Sequence, residues 1–275
     1  MNLNSIRQGE LKPVFDAMEE AFRKLNIDFY LIGAIARDIW YAKGNAVSTG
    51  TRDVDFAIFI SNQNDYETLK NYLVKEKNFV ESKTNAFVVI SSEGHTVDLL
   101  PFGEIEIDSK INIAWGGLTS IQTNGFKEVY ESGIATIELE TGHAFQVATL
   151  PAIVLLKLIS YDDRPEQRFK DPRDIAGIIQ HYFDLQSDDI YENHSDLFEF
   201  ENFTIQKAGA RVIGREIKTI IRSNALLKER ITGILTGHIY QAEKSVFIRN
   251  MQTGDNFVLS VALDWLNEIH KGITE

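Results

Sequence analysis

Residues 53–60 read DVDFAIFI, so that Asp53 and Asp55 precede five consecutive apolar residues. The apolar run predicts a buried β-strand. Alternate residues of a strand point to the same face, which places the two carboxylates on one side of the sheet, roughly 6.6 Å apart along the strand. Asp-x-Asp pairs are common at solvated edges and in turn caps, so the pair alone does not establish a chemical site.

A third acidic residue, Asp98, lies inside another apolar stretch, residues 97–100. Three carboxylates gathered at one sheet surface would repel one another and raise one another's pKa. A divalent cation removes that repulsion, and Mg²⁺ usually binds one or two carboxylates together with substrate phosphates. Two such ions about 4 Å apart can hold the attacking and leaving oxygens of phosphoryl or nucleotidyl transfer. We therefore predict that Asp53, Asp55 and Asp98 bind Mg²⁺, with two ions expected.

Residues 29–34 read FYLIGA and predict a buried strand that ends at Gly33, where a helix over residues 33–43 begins. A small residue at a strand-to-helix turn lets backbone amides approach a phosphate, and the N-terminus of a helix favours anions. Such turns are also frequent in proteins that bind no phosphate. Gly33 and Ala34 are therefore candidates for phosphate contact.

The periodicity of the sequence changes near residue 150. Strand, helix, strand, helix and then a hairpin over residues 86–100 predict an α+β core built on a mixed sheet. Beyond Pro151 the apolar spacing is mostly helical, notably over residues 152–160, 172–182, 203–222, 225–235 and 256–270. We predict a core domain at residues 1–150 and a helical domain at residues 151–275.

Composition excludes several kinds of chemistry. The chain has no cysteine, which excludes disulfides, thiolate metal sites and cysteine nucleophiles. Its six histidines show no zinc-type spacing, and neither a phosphate-binding P-loop nor a Gly-x-Ser-x-Gly elbow is present. No apolar run reaches the roughly 18 residues of a membrane span, and residues 1–12 lack the apolar stretch of a signal peptide. These features predict a cytoplasmic protein.

A formal net charge of −12 argues against broad binding to nucleic-acid phosphates. A local basic patch is compatible with that charge, and so is an ordinary solvated surface; the residues concerned are Lys157, Arg164, Arg168, Lys170 and Arg173. Trp115 is a candidate for stacking on a nucleotide base, although most aromatic residues of the chain are expected to fill the core.

Together these features resemble the DNA-polymerase-beta-like nucleotidyltransferase superfamily. Its pattern is Gly followed by Gly or Ser, then Asp-hydrophobic-Asp, then a third carboxylate on a later strand; the matching positions here are Gly33-Ala34, Asp53-Val54-Asp55 and Asp98. Ala34 departs from that pattern, so a serine contact to phosphate is missing while the backbone amide remains. Residues 33–38, GAIARD, also look like the Gly-Gly-x-x-Arg-Asp run of the tRNA CCA-adding branch.

The resemblance implies a role for each of these residues. Asp53 and Asp55 would ligate the metal ions, and Asp98 would ligate one ion and help to deprotonate the acceptor hydroxyl. The amides of Gly33 and Ala34 would hold the triphosphate. Arg37 would either bind phosphate as well or pair with Asp38 inside the fold, and the internal pairing is preferred.

A longer resemblance is to the AbiEii-type group of bacterial nucleotidyltransferases, which includes toxins of toxin–antitoxin and phage-abortive systems. It rests on residues 98–103 (DLLPFG), 126–130 (FKEVY), 156–158 (LKL) and 170–175 (KDPRDI). In that group a lysine on the first helix after the core, with a later arginine and aspartate, completes the nucleotide site. Lys157, Arg173 and Asp174 match those positions, with Arg164 and Arg168 competing for the arginine's place.

The resemblance therefore implies a magnesium-dependent nucleotidyltransferase in which the helical domain closes the nucleotide site. The expected reaction moves a nucleotide from a nucleoside triphosphate to an acceptor hydroxyl and releases pyrophosphate. tRNA, a protein side chain and a small molecule of the aminoglycoside kind remain open as acceptors, and an antitoxin protein is a possible partner. The rival interpretation is a non-catalytic, nucleotide-binding regulatory protein.

Overall fold

The structure is a computed structural model that describes residues 8–44, 53–113, 120–139, 141–199, 202–254 and 257–275. Trp115, the candidate stacking residue, lies outside these residues. The chain divides into two compact units, Met1–Tyr130 with Ile134–Thr149, and Glu131–Gly133 with Leu150–Glu275. The predicted roles of residues 1–150 as a catalytic core and of residues 151–275 as a closing domain stay predictions.

The described residues up to residue 148 form a mixed sheet with helices beside it. The elements in chain order are α1 (Gln8–Leu25), β1 (Phe29–Ile32), α2 (Gly33–Lys43), β2 (Asp53–Phe59), α3 (Gln63–Lys77), β3 (Val80–Glu81), β4 (Val88–Ile90), β5 (Thr96–Phe102), β6 (Lys110–Asn112), β7 (Ser120–Gln122), α4 (Phe126–Ser132), β8 (Ile134–Glu138) and β9 (Ala144–Ala148). The main sheet has the order β3-β4-β5-β2-β1-β9-β8. β2 is parallel to β5 and β1 to β9, while the other pairs are antiparallel. The predicted α+β class with a mixed sheet is confirmed.

One face of the central strands packs against α1 and α3. The Phe22 ring of α1 contacts Phe56 of β2 with centroids 5.4 Å apart, and Phe56 is fully buried. From α3, the hydroxyl of Tyr66 donates to the carbonyl oxygen of Leu99 on β5, at 3.1 Å. Since alternate residues of a strand point to opposite faces, Asp55 and Asp98 belong to the other side of the sheet. The strand at 29–32, the helix at 33–43 and the antiparallel pair within residues 86–100 were all correctly predicted.

The second unit is helical throughout its described residues from Leu150 onward. Its elements are α5 (Leu150–Asp163), α6 (Asp171–Leu185), α7 (Ser187–Asn193), α8 (Ile205–Ile220), α9 (Ala225–Gln241), α10 (Val246–Asn250) and α11 (Leu259–Thr274), with 3₁₀ turns at Ser195–Glu199 and Ala242–Lys244. The helical character predicted beyond residue 150 is confirmed, whereas the short helices α7 and α10 were not predicted. In the parts of the chain that the structure describes, no helix has both the length and the apolar character of a membrane span.

Helices α8 and α11 cross in backbone contact at two glycines. A Cβ added to Gly214 would overlap the carbonyl oxygen of Ile269 and would lie 2.9 Å from the Cα of Gly272. A Cβ added to Gly272 would overlap the carbonyl oxygen of Arg211. Because the clashing atoms belong to the backbone, a side chain at either position forces the helices apart.

Replacing Gly214 by alanine is therefore expected to lower the free energy of unfolding by about 2–3 kcal/mol, through overpacking. The expected fall in melting temperature is roughly 4–12 °C, measurable by calorimetry. Gly233 on α9 provides the control, since an added Cβ there would meet no described atom within 4 Å other than its chain neighbours and the backbone of its own helix. Gly233→Ala should stabilise the helix by about 0.5–1 kcal/mol. Equal effects of the two substitutions would contradict close packing at Gly214.

Candidate active site

Asp55 and Asp98 are direct neighbours near the middle of the main sheet. β2 and β5 run parallel with Asp55 in register with Asp98, and Asp53 in register with Thr96. Neighbouring strands lie about 4.8 Å apart, and residues in register on parallel strands project from the same face. β2 is the fourth strand in the order, so these carboxylates lie away from the sheet edges. Asp53 belongs to the same face, because it lies two residues before Asp55.

Among the described residues, the acidic end of this face is only partly buried. Asp53 is exposed, and Asp55 and Asp98 are half-buried, whereas the intervening Val54 is fully buried on the opposite face. Farther along the acidic face the character becomes apolar, and Phe59 meets Phe102 edge-on with ring centroids 5.5 Å apart. The carboxylates at the start of β2 and β5 are therefore partly accessible, and apolar side chains pack farther along the same face.

Gly33 lies directly against the carboxylate of Asp55. The register of β1 with β2 pairs Ile32 with Asp55, and Gly33 follows as the first residue of α2. Gly33 has a φ of +70°, and a Cβ added to it would overlap Oδ2 of Asp55 and lie 2.8 Å from its Cγ. Two features therefore require glycine at position 33: the left-handed backbone conformation, and the lack of room for a Cβ beside the Asp55 carboxylate. From the sequence, the small residue was expected to let backbone amides approach a phosphate, and its close contact with Asp55 was not predicted.

The N-terminus of α2 is not capped by side chains of its own first turn. Ile32 at the N-cap position has no side-chain oxygen, and residues 33–36 include no acidic residue. The first amides of a helix have no partner within the helix and carry a partial positive charge. The amides of Gly33 and Ala34 therefore start a helix whose positive end lies beside Asp55. This arrangement suits the predicted phosphate contact, which stays a prediction.

Arg37 takes part in the internal pairing that the sequence offered as an alternative to phosphate binding. Its Nε donates to Oδ1 of Asp38 at 2.9 Å, and Nη2 lies 2.8 Å from the same oxygen. Arg37 is 6% exposed and Asp38 is fully buried. The guanidinium carbon also lies 5.6 Å from the centroid of the Tyr41 ring. A contact between Arg37 and phosphate stays a prediction.

In the second unit, Lys157 on α5 bridges two carboxylates of α6. Its ammonium group donates to Asp171 and to Asp174, each at 2.7 Å. Burial by itself would lower the pKa of Lys157, but the charges and hydrogen bonds of Asp171 and Asp174 outweigh it, and the pKa is raised. The other oxygen of Asp171 is buried and has no hydrogen-bond partner within the described part of the chain. Lys157 and Asp174 are thus in contact, and their part in a nucleotide site stays a prediction.

The candidate arginines have different surroundings. Arg173 is exposed in the first turn of α6, and Arg168 is exposed in the segment before that helix. Arg164 is half-buried, and this burial together with the charge of Arg168 lowers its pKa. Lys157, Arg173 and Asp174 belong to the second unit, while the three acidic positions Asp53, Asp55 and Asp98 belong to the first.

Asp171 was not assigned a role in the sequence, although it lies within the segment KDPRDI that carries the resemblance. Asp171 and Asp174 are three residues apart on a helix and therefore share one side of it. That spacing, together with the single lysine on the preceding helix α5, would have allowed the cluster of Lys157, Asp171 and Asp174 to be predicted from the sequence.

The donors on β2 and β5 fit a magnesium site that substrate completes. Among the described side chains, no group of three or more His, Asp and Glu residues is gathered tightly enough to hold a metal ion on its own. Mg²⁺, however, commonly takes one or two carboxylates and fills its other positions with phosphate oxygens and water. Asp55 and Asp98 in register, with Asp53 on the same face, would supply hard oxygen ligands for such a site, and Mg²⁺ binding stays a prediction.

No family model and no curated protein matches the chain. Among solved structures it is similar to an antigenic nucleotidyltransferase-like protein from Paracoccidioides brasiliensis, with 18% identity, a TM-score of 0.41, and coverage of 73% of this chain and 93% of that chain. It is also similar to the antibiotic-resistance factor ANT(2'')-Ia, with 9% identity, a TM-score of 0.41, and coverage of 85% of this chain and 98% of that chain. Likeness at this level assigns neither a family nor a substrate, and the AbiEii-type resemblance stays a prediction.

Proposed function

We propose that the chain is a magnesium-dependent nucleotidyltransferase that moves a nucleotide from a nucleoside triphosphate to an acceptor hydroxyl. The observation that carries this proposal is the register of Asp55 with Asp98 on adjacent parallel strands, with Gly33 packed against Asp55. Neighbouring carboxylates disfavour each other's ionised form, and a divalent cation relieves that repulsion. A site of this kind is suited to divalent ions that arrive with a triphosphate.

Each residue has a defined part in the proposed reaction. Asp53, Asp55 and Asp98 would hold the Mg²⁺ ions, which when bound neutralise the triphosphate and favour departure of pyrophosphate. Asp98 accepts the proton of the acceptor hydroxyl as the new bond forms from that oxygen to the α-phosphorus. The bond from the α-phosphorus to the leaving pyrophosphate oxygen breaks in the same displacement. The amides of Gly33 and Ala34 bind phosphate oxygens and fix the triphosphate.

RNA is the acceptor that the exposed surface favours. In a chain of net charge −12, the exposed segment Arg168-Phe169-Lys170 combines two cations with an aromatic ring that is 55% exposed. Cations that meet phosphates and rings that stack on bases are the usual means of binding single-stranded RNA. A tRNA acceptor would agree with the AbiEii-type resemblance and with a toxin of a toxin–antitoxin pair. A protein or an aminoglycoside-like molecule is the alternative acceptor.

The test is a transfer assay with each of the four nucleoside triphosphates labelled at the α-phosphate. The full chain is incubated with total tRNA, with a protein panel or with aminoglycosides, in the presence of Mg²⁺ or of a chelator. We expect labelled RNA and released pyrophosphate with Mg²⁺ only. Label in protein or in the aminoglycoside would replace RNA as the acceptor. Nucleotide binding without pyrophosphate release for any acceptor would favour the non-catalytic, nucleotide-binding alternative.

A further inference from the structure

Three aromatic side chains form a continuous surface in the second unit, which we call the aromatic surface: Tyr191, Phe198 and Phe203. The rings of Tyr191 and Phe198 are stacked with centroids 5.2 Å apart and an interplanar angle of 9°. Phe203 follows with its centroid 5.3 Å from that of Phe198. Beneath them lies the buried ring of Phe183, which meets Tyr191 edge-on at 5.8 Å. The layer is therefore held in place from below.

The aromatic surface faces solvent instead of filling the core. Tyr191 is 60% exposed and Phe203 is 37% exposed. Scattered exposed apolar residues are ordinary, but a contiguous group of large rings is not, and such groups are typical of binding surfaces. Aromatic residues are also enriched at the centres of protein interfaces.

The charge around the aromatic surface is acidic. The sequence has no lysine or arginine from Asp174 to Gln206. Exposed acidic residues lie before, within and after α7, namely Asp184, Asp188, Glu192 and Glu199. Within the described part of the chain, no ion pair involves any of these four residues. Two further carboxylates are engaged: Asp196 pairs with Arg215 at 2.6 Å, and Asp189 lies 3.8 Å from His194.

The acidic surroundings also affect the pKa of a neighbouring carboxylate, that of Glu216. Burial raises the pKa of Glu216 on α8, and the charge of Asp189 raises it further. Nucleic acid and anionic membranes are disfavoured as occupants, because they would bring like charge to this surface. A second copy of the chain that docks through the same surface is disfavoured for the same reason. A cationic occupant gains from the acidic residues and also from the faces of the rings.

We propose that the aromatic surface, with its acidic surroundings, docks a cationic segment of a second protein. Arginine or lysine side chains would lie over the exposed ring of Tyr191, with Asp188 and Glu192 accepting their hydrogen bonds. The proposal is independent of the chemistry at Asp55 and Asp98, so either can fail without the other.

The proposal is tested by fluorescence anisotropy on the full chain. The probe is a fluorescein-labelled peptide of alternating arginine and serine, and its counterpart has glutamate in place of arginine. We expect the arginine peptide to bind, with affinity falling between about 50 mM and about 500 mM salt. Tyr191→Ser should weaken binding at least about fivefold, and Asp188→Asn/Glu192→Gln about tenfold.

Matched variants separate this surface from the overall negative charge. Tyr240→Ser removes another exposed tyrosine, on α9, and Glu67→Gln/Glu76→Gln removes two exposed charges on α3. These controls should change binding less than about twofold. Equal losses in surface and control variants, or equal binding of the glutamate peptide, would overturn the proposal. A dimer detected by sedimentation and abolished by Tyr191→Ser would overturn it in favour of a second copy.

Discussion

Replacing Asp55 by asparagine is expected to lower nucleotide transfer by more than about a hundredfold while the chain stays folded. Loss of a residue that merely orients a metal ligand already costs about 10–100-fold, and Asp55 is proposed as a ligand itself. Asparagine has nearly the same shape, so the contact with Gly33 is retained and only the charge is lost. The measurement is the initial rate of label transfer from α-labelled nucleoside triphosphate at several Mg²⁺ concentrations.

Stability separates a ligand role for Asp55 from a structural one. A ligand role predicts that Asp55→Asn loses transfer activity while its melting temperature stays close to that of the parent, because asparagine keeps the shape of the side chain. Glu67→Gln, an exposed position on α3, is the control and should retain the parent rate. Gly33→Ala is a companion variant that displaces the Asp55 carboxylate without changing charge, and it should lose activity too. An Asp55→Asn variant with the parent rate would remove Asp55 from the proposed site.

The fold around Asp55 was predictable because the sequence on either side of Asp55 has a clear secondary-structure pattern. The apolar run after Asp55 requires a buried strand, and the preceding residues 29–43 read as a strand followed directly by a helix. The sequence predicted that Asp55 and Asp98 share one sheet surface. Their register on adjacent strands was not predicted, since it depends on how β5 aligns beside β2 in three dimensions. Gly33 shows the same limit: its smallness was visible in the sequence, but its contact with Asp55 was not.

The helical unit was less predictable in its contacts than in its elements. Apolar periodicity identifies helices, but it does not say which pair of helices will cross closely. Taken alone, Gly214 and Gly272 are each expected to destabilise the helix that contains them. In the structure they allow α8 and α11 to cross in close contact. The aromatic surface escaped notice for a related reason, because aromatic residues are expected in the core and only the structure shows that Tyr191 is outside it.

Replacing Lys157 by methionine is expected to lower the free energy of unfolding by about 3–5 kcal/mol, the usual cost of removing one partner from a buried ion pair. The ammonium group is the common partner of Asp171 and Asp174, and the Asp171 side chain is only 7% exposed. Without Lys157 the two carboxylates face each other with reduced access to water. Thermal or urea unfolding of the parent and the variant measures the difference.

The pH dependence of this cluster has a definite sign. The folded-state pKa of Lys157 is raised, so its contribution to stability is complete below the ordinary lysine value of about 10.4 and is lost as the pH rises through the folded-state pKa. The stability difference between the parent and Lys157→Met should therefore be constant near neutral pH and shrink only in strongly alkaline solution. A difference that already shrinks near neutral pH would contradict the raised pKa.

Restoring charge balance decides whether Lys157 serves the fold or the nucleotide. The triple variant Lys157→Met/Asp171→Asn/Asp174→Asn should recover most of the lost stability, because the two carboxylates that Lys157 neutralises lose their charge as well. If Lys157, together with Asp174, also serves the nucleotide site, that variant stays folded but loses affinity for the triphosphate, measured by titration calorimetry with Mg²⁺. If it is folded and binds the triphosphate like the parent, Lys157 is a structural residue. The proposed nucleotide site would then rest on the first unit's carboxylates and the start of α2.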